Sequence, residues 1–275
     1  MLLFILLVQI SSLGEALTFH APFDSTLEAS VAVGDPVLYR AQGWDQRNES
    51  EQVAKPDETI SIISGNGRYG GSLEFSRYAD VLYYFKAMDN FSYLNENWNG
   101  TISFWLKLDP DQDLTEGQWC DPIQITSRAW DDGSVFVDFT RNSPRKFRFA
   151  AFADREIWNP DGEPWEEMAP GVMPMITVSD HPFSSDSWVH VVLVLTEFNT
   201  NEDTAIFEGY LNGRSAGVLQ GRKQTLTWVP SDVLVQIGLQ FIGQIDDLAF
   251  FNRNLSSEEV WNLYSLPEGI ATLKK

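Results

Sequence analysis

The sequence predicts an all-β sandwich that ends in one short C-terminal helix, and three observations support this prediction. Runs that alternate apolar and polar residues recur along the chain, for example over 135–140 and 146–153, and this alternation is typical of half-buried strands. Turn residues separate these runs, and Asn212-Gly213 is a two-residue hairpin signal. Aromatic residues make up 13% of the chain, including 10 Trp and 18 Phe, and aromatic residues favour strands.

The predicted strands follow one another without an internal repeat or a linker, so we expect a single domain. They cover residues 17–23, 59–63, 72–75, 81–85, 101–108, 123–127, 135–140, 146–153, 189–198, 205–211, 234–238 and 241–252. Residues 34–58 are polar and interrupted by Pro36, Gly43 and Pro56, which predicts a long surface loop. Residues 157–182 are rich in proline and predict a second long loop, and loops of that length are usually functional or mobile.

One segment near the C-terminus predicts both the last strand and the helix. The apolar run from Gly243 to Phe251 ends in an Asn-Arg-Asn turn, and Ser256 and Glu259 then form the sequence of a capping box. In a capping box the two side chains satisfy backbone donors at the start of a helix. The pattern therefore predicts one strand followed directly by one short helix.

Composition excludes some classes of partner. The formal net charge is -20 and the pI is about 4.4, so the phosphates of nucleic acids and anionic membrane surfaces are repelled. The same charge is compatible with bound cations and with neutral polymers such as polysaccharides. The hydrophobic content of 43% is sufficient for a packed core.

The N-terminus predicts a signal peptide over residues 1–16, with the mature domain over 17–275. Residues 1–10 are apolar, and Gly14 and Ala16 supply the small residues of a cleavage site. The apolar run is too short to span a bilayer, so we expect no membrane span after leader removal and a secreted or periplasmic protein. The alternative is that this run forms a buried first strand. The single Cys120 cannot form an intramolecular disulfide.

Six segments, in order, resemble those of laminin-G-like jelly rolls in the concanavalin A-like lectin/glucanase group. These segments span almost the whole predicted mature chain and are 20–29, 67–75, 100–108, 188–192, 209–214 and 238–264. The resemblance implies a jelly-roll β-sandwich of two antiparallel sheets, whose first and last strands pair. It implies little about function, because one sandwich supports many activities.

Catalytic motifs are weakly represented. Some sandwich glucanases of this group carry an E-x-D-x-E strand, which is absent here. The acidic pairs 131–132, 166–167 and 246–247 are adjacent residues, whose side chains point to opposite faces on extended backbone. No G-x-S-x-G serine motif occurs, and only three histidines are present. The question of enzymatic activity therefore stays open, and noncatalytic binding is favoured over it.

Carbohydrate binding is the function that the loop residues favour. Sugars stack their C–H faces on aromatic rings and bond their hydroxyls to polar side chains. Two loop segments combine these residue types, and the predicted ligand-binding residues are Trp130, Asp132, Trp158, Asp161 and Trp165. Tryptophans within strands are expected to be core residues instead.

The resemblance also implies a structural Ca²⁺ ion. Members of the group often bridge the first acidic turn and the closing strand with calcium, which here means Asp24 with Asp246 and Asp247. Hard oxygen ligands of this kind suit Ca²⁺. The alternative is that Asp246 accepts hydrogen bonds from backbone amides of a neighbouring segment.

The sequence thus predicts a secreted, noncatalytic protein that binds carbohydrate or another extracellular ligand. The first alternative is a glycan-degrading enzyme, a glycoside hydrolase or lyase, with carboxylates from separate strands. The second is an adhesion or structural module. An enzyme requires a concave cleft with two carboxyl groups within about 10 Å of each other, whereas an adhesion module presents a flat apolar patch.

Overall fold

The computed structural model describes residues 11–169 and 171–274, and it is a sandwich of two antiparallel sheets. This confirms the predicted all-β jelly-roll fold. The strands are β1 (Leu17–Ala21), β2 (Val31–Ala32), β3 (Tyr39–Ala41), β4 (Gln52–Val53), β5 (Ile60–Ile63), β6 (Ser72–Phe75), β7 (Leu82–Lys86), β8 (Trp98–Lys107), β9 (Cys120–Ala129), β10 (Asp132–Phe139), β11 (Phe147–Phe152), β12 (Met175–Val178), β13 (Val189–Phe198), β14 (Ile206–Leu211), β15 (Arg214–Leu219), β16 (Leu234–Leu239) and β17 (Gly243–Phe251).

Sheet A has nine strands in the order β15-β14-β13-β8-β17-β1-β2, with β6 and β5 extending from β17. Sheet B has eight strands in the order β12-β11-β10-β9-β16-β7-β3-β4. Short helical segments lie before, between and after the strands. The α-helices are α1 (residues 11–16), α2 (Arg47–Ser50), α3 (Pro110–Asp113), α4 (Arg155–Trp158) and α5 (Ser257–Tyr264), and the 3₁₀ turns are Met88–Phe91, Trp165–Glu167, Pro230–Asp232 and Ile270–Lys274.

The first and last strands of the sandwich pair, as predicted. β1 and β17 are antiparallel, with Phe19 opposite Phe250 and Ala21 opposite Leu248. The Phe19 and Phe250 rings stack at 4.8 Å, and Phe85 of sheet B meets Phe19 edge-on at 4.9 Å. This aromatic contact joins the two sheets through the core.

A second apolar cluster lies on the outer side of sheet A, between α1 and α5. Leu13 is fully buried there and packs with Val260 and Leu263 of α5. The predicted capping box at the start of α5 is confirmed, since Ser256 and Glu259 accept each other's backbone amides. Residues 1–10 of the predicted leader lie outside the described residues, so cleavage near Leu17 stays a prediction.

Both predicted long loops contain strands, so these two loop predictions were wrong in part. Within residues 34–58, β3 pairs with β7 and β4 pairs with β3. Within residues 157–182, β12 pairs with β11. These short strands extend both edges of sheet B, because an edge strand offers unpaired backbone groups to any nearby extended segment. The prolines and glycines of these two segments predict turns, but they do not show that the edge of a sheet lies near enough to pair with.

A candidate binding groove on sheet B

A groove of about 950 Å³ crosses the face of sheet B that points away from the core. Its floor comes from strand residues that alternate with core residues, because successive side chains on a strand point to opposite faces. On β10, for example, Val135, Val137 and Phe139 enter the core, while Phe136 and Asp138 line the groove. We call this feature the sheet B groove.

An arginine–aspartate pair forms one end of the floor. Asp138 of β10 lies directly opposite Arg148 of β11. Arg148 Nε donates to Asp138 Oδ1 at 2.7 Å, and its Nη2 donates to Oδ2. Burial raises the pKa of Asp138, while the hydrogen bonds and charge of Arg148 lower it; the net direction is upward. The guanidinium thus holds a desolvated carboxyl group in one orientation.

Asp121 of β9 lies beside this pair. A register shift between Val137 and Phe139 leaves Asp138 opposite residues 121–122 of β9, and Cβ atoms at opposite positions of antiparallel strands are about 4.5–5.5 Å apart. Burial and the charge of Asp138 raise the pKa of Asp121 well above its ordinary value. The floor therefore holds two neighbouring carboxyl groups of which Asp121 retains its proton more strongly.

Two glutamines continue the polar floor across three strands. Gln124 Nε2 donates to Asp121 Oδ2 at 2.5 Å, and Gln236 Nε2 of β16 donates to Gln124 Oε1 at 3.1 Å. Asp121, Gln124 and Gln236 are each at least 94% buried. Their amide and carboxyl groups are oriented by one another, which makes this a prearranged hydrogen-bonding surface.

Aromatic side chains form the walls. On one side the Trp130 and Trp165 rings meet edge-on at 5.1 Å, and Trp130 is 44% exposed. On the other side lie Trp44 and the exposed Trp119. The remaining lining residues are Gly43, Ala79, Asp80, Val81, Leu82, Arg128, Ala129, Phe136, Thr140, Arg141, Glu166, Met175, Leu239 and Gln240.

The predicted ligand-binding residues divide into two groups. Trp130 and Trp165 line the sheet B groove, while Asp132, Trp158 and Asp161 do not. Trp158 donates through Nε1 to the Asp131 carbonyl at 2.8 Å and contacts Phe152 edge-on, so it supports the wall from behind. Asp132 accepts the backbone amide of Arg155, and Asp161 is exposed in a turn.

Sequence reasoning missed the polar floor. Asp121 falls between the strands predicted over 101–108 and 123–127, and it lies instead near the start of β9. Asp138 was within a predicted strand, and its position on the face opposite to Val137 was the available signal. What the sequence did not show is that β9, β10 and β11 are neighbours, because that order is a tertiary property.

The three aspartates predicted to bind calcium lie around the loop from Gly67 to Gly71. Asp24 Oδ1 accepts the Gly71 amide at 2.9 Å, and Asp246 Oδ2 accepts the Tyr69 amide at 3.0 Å. Asp247 Oδ1 is 2.5 Å from His20 Nε2, and its Oδ2 accepts the Ile270 amide. The carboxylate oxygens of these three aspartates are therefore bonded to different groups of the protein.

Asp246 retains one buried oxygen, Oδ1, that has no hydrogen-bond partner. Burial is the main cause that raises the pKa of Asp246 to about 8. Over residues 11–169 and 171–274, no group of three or more His, Cys, Asp or Glu side chains is arranged to hold a metal ion. The calcium site stays a prediction from the sequence. The alternative role of Asp246, as an acceptor of a backbone amide from a neighbouring segment, is observed in its bond to Tyr69.

A model of the concanavalin A-like lectin/glucanases superfamily, in its laminin-G-like form, matches residues 84–261. This match covers more than half of the 275 residues. The chain belongs to this superfamily. This membership agrees with the two-sheet sandwich that the sequence predicts. A comparison with curated protein sequences gives no significant match.

Solved structures of toxin binding domains are similar to this superfamily member in fold. The receptor-binding domain of botulinum neurotoxin C/D mosaic serotype superposes with a TM-score of 0.57 at 14% identity, over 91% of this chain and 51% of the other. The botulinum neurotoxin serotype D ligand-binding domain, solved with N-acetylneuraminic acid, gives 0.56 at 13%, over 93% and 52%. The binding domain of Paraclostridial mosquitocidal protein 1 gives 0.52 at 12%, over 92% and 52%.

This chain therefore spans about half the length of these solved chains. At such identities the similarity concerns the fold alone. Within the described part of the chain, no helix is both long enough and apolar enough to cross a membrane.

Proposed function

We propose that this protein binds carbohydrate in the sheet B groove. The observation that carries the proposal is the combination of aromatic walls with a polar floor. Trp130 is 44% exposed and Trp119 is 42% exposed, so both offer surface on which the C–H face of a sugar can stack. The floor offers carboxamides and a carboxyl group, which both donate and accept hydrogen bonds, as sugar hydroxyls do.

The size and shape of the groove support this proposal. A volume of about 950 Å³ lies at the upper end of the range of about 300–1,000 Å³ for small-molecule sites. It suits a short oligosaccharide. The similar fold of a toxin domain solved with N-acetylneuraminic acid gives further support.

We also propose that the protein is secreted. The intact mass of exported material tests this proposal, because the mature chain should begin near Leu17.

Affinity electrophoresis tests the binding proposal. Native gels that contain laminarin, arabinoxylan or polygalacturonic acid retard a protein in proportion to its affinity. We expect the protein to be retarded by at least one polymer, and Trp130→Ala to weaken that retention about tenfold, as truncation of a central aromatic anchor does. Trp130→Phe should retain part of it. Leu94→Ala, a change at an exposed apolar residue outside the groove lining, is the matched control.

The floor also favours a second candidate function, hydrolysis of a glycosidic bond. Strongly perturbed neighbouring carboxyls in a groove are a frequent sign of acid–base chemistry. In this reading Asp121, whose pKa is raised, gives its proton to the leaving oxygen. Carboxyls on opposite positions of adjacent strands suit the retaining geometry, so Asp138 would attack the anomeric carbon as the protonated leaving oxygen departs, and water would then release the sugar from Asp138. The two carboxyls come from adjacent strands, β9 and β10, and this neighbourhood supports the second candidate.

Product analysis separates the two candidates. An enzyme would release new reducing ends from the retained polysaccharide, and both Asp121→Asn and Asp138→Asn would remove that activity while retention on the gel persists. Retention without release of reducing ends would leave noncatalytic binding as the function. Lack of retention with every polymer would contradict both candidates.

A further inference from the structure

A second depression of about 530 Å³ lies at the end of the β14–β15 hairpin. α5 and the segment after β12 form its other sides. Its lining residues are Val178, Asp180, Pro182, Leu211, Asn212, Arg214, Ser215, Ala216, Trp261 and Tyr264. It shares none of them with the sheet B groove. We call it the Trp261 site.

An exposed tryptophan dominates this depression. Trp261 is 43% exposed, and residues three apart on a helix lie on the same face, which places Tyr264 beside it at 5.5 Å between ring centroids. Tyr264 in turn stacks on Trp105 of β8 at 5.8 Å. The exposed ring is thus the outer member of an aromatic series that is anchored in sheet A.

The β14–β15 hairpin packs against the rings of Trp261 and Tyr264. Gly213 has a φ of 73°, and a Cβ atom at this position would lie 2.9 Å from Trp261 Cε3 and 3.1 Å from Tyr264 Cβ. Only glycine fits both the left-handed backbone and the close approach. The Trp261 ring is therefore held in place before any ligand binds, and such preorganisation lowers the entropic cost of binding.

Polar groups without protein partners surround the platform. Within the described residues, the Asp180 carboxylate and the Arg214 guanidinium make no hydrogen bond or ion pair, although both line the depression. Asn212 Oδ1 accepts the His190 amide at 2.9 Å, which fixes the side chain and leaves its NH₂ group available. One acceptor, one cationic donor and one neutral donor therefore lie around one aromatic ring.

We propose that the Trp261 site is a second carbohydrate-binding site, separate from the sheet B groove. A pyranose ring would stack its C–H face on Trp261, and its hydroxyls would donate to Asp180 and accept from Arg214 and Asn212. An apolar peptide side chain fits this site less well, because covering Asp180 and Arg214 with it would desolvate both charges without compensation. The protein would then contact a polysaccharide at two places.

The same affinity gels test this proposal when variants of both sites are compared. With laminarin, arabinoxylan and polygalacturonic acid as probes, we expect Trp261→Ala to weaken retention by at least one polymer about tenfold. Trp261→Phe and the double variant Asp180→Asn/Arg214→Gln separate stacking from hydrogen bonding. Trp130→Ala leaves the Trp261 site intact, and adding Trp261→Ala to it should remove the residual retention.

Two results would overturn the second site. One is a Trp261→Ala protein that is retained like the unmodified protein on every gel, and the other is an unmodified protein that no polymer retards. Thermal unfolding of each variant shows whether the fold is intact. Because part of the Trp261 ring packs on Tyr264 and the hairpin, its truncation should lower the melting temperature by a few degrees while the cooperative unfolding transition persists. Loss of retention in Trp130→Ala alone would support the sheet B groove and contradict the Trp261 site.

Discussion

Arg148 donates two hydrogen bonds to Asp138 from the directly opposite position of the neighbouring strand. A planar guanidinium and a carboxylate match in this bidentate geometry, which fixes both side chains. Asp121 lies beside the pair, and burial together with the charge of Asp138 raises its pKa well above the ordinary value. Burial and this ion pair therefore act together on the carboxyl groups of the groove floor.

We expect Arg148→Met to destabilise the fold by about 3 kcal/mol or less, because Asp138 loses its partner in a desolvated site and escapes part of the cost by taking up a proton. The loss should be larger at pH 8 than at pH 5, where protonation of Asp138 is easier. Urea unfolding at both pH values measures it. Arg141→Met removes an exposed arginine from the same groove and should change stability little; equal losses in both variants would contradict the role given to Arg148.

Asp246 should make the protein less stable as the pH rises. Its pKa is about 8 in the folded state, against an ordinary value of 3.8, so the folded chain binds its proton more tightly than the unfolded chain. Stability from this group is complete below pH 4 and is lost as the pH rises towards 8. We expect Asp246→Asn to remove this decline, which amounts to roughly 1–5 kcal/mol. Unfolding from pH 5 to pH 8 tests it.

A suitable control for that experiment is Asp24→Asn, because Asp24 is exposed. It should leave the slope of stability against pH unchanged. A variant Asp246→Asn whose stability still falls as steeply as that of the unmodified protein would show that another group causes the decline.

The calcium prediction can be tested at the same position. If Asp24, Asp246 and Asp247 bind Ca²⁺, the ion should raise the melting temperature, by the equivalent of about 2.7 kcal/mol at a hundredfold excess over its dissociation constant. The effect should be larger at pH 8, where Asp246 is more ionised, and absent in Asp246→Asn and in the presence of a chelator. Identical melting curves with Ca²⁺ and with chelator would leave these aspartates as hydrogen-bond acceptors.

Gly238 should be far less tolerant of alanine than Gly221. Both have a left-handed backbone, with φ values of 71° and 70°, so both substitutions cost about 1 kcal/mol in backbone strain. A Cβ on Gly238 would overlap the Phe75 ring, whereas a Cβ on Gly221 has no neighbour within 4 Å. We expect Gly238→Ala to lose about 1–3 kcal/mol more than Gly221→Ala. Similar unfolding midpoints would contradict this.

Much of the fold was predictable because it depends on local signals. A long, mostly apolar run identified β13 (Val189–Phe198) with its bounds as observed. Asn212 and Gly213, both with positive φ, form the predicted hairpin turn. Ser256 and Glu259 start α5 with the predicted capping box. In each case the residues that determine the geometry are neighbours in sequence.

The sheet B groove was less predictable, because its parts are far apart in sequence. Trp130 and Trp165 were identified as loop tryptophans with polar neighbours, and they line the same groove. Trp158 has the same kind of sequence neighbourhood, yet its indole N–H is bonded to a backbone carbonyl. The residues next to a tryptophan in the sequence do not show whether its ring lines the groove or packs behind the residues that do.

The sequence by itself determined the class of fold, the pairing of β1 with β17 through its family resemblance, and the acidic charge that disfavours nucleic acid. Only the tertiary structure decided that Asp121, Asp138 and Arg148 meet, since strand order alone makes β9, β10 and β11 neighbours. The pKa of Asp121 depends on that meeting. Burial and a second carboxyl raise it, and neither is a property of the residues next to Asp121 in the chain.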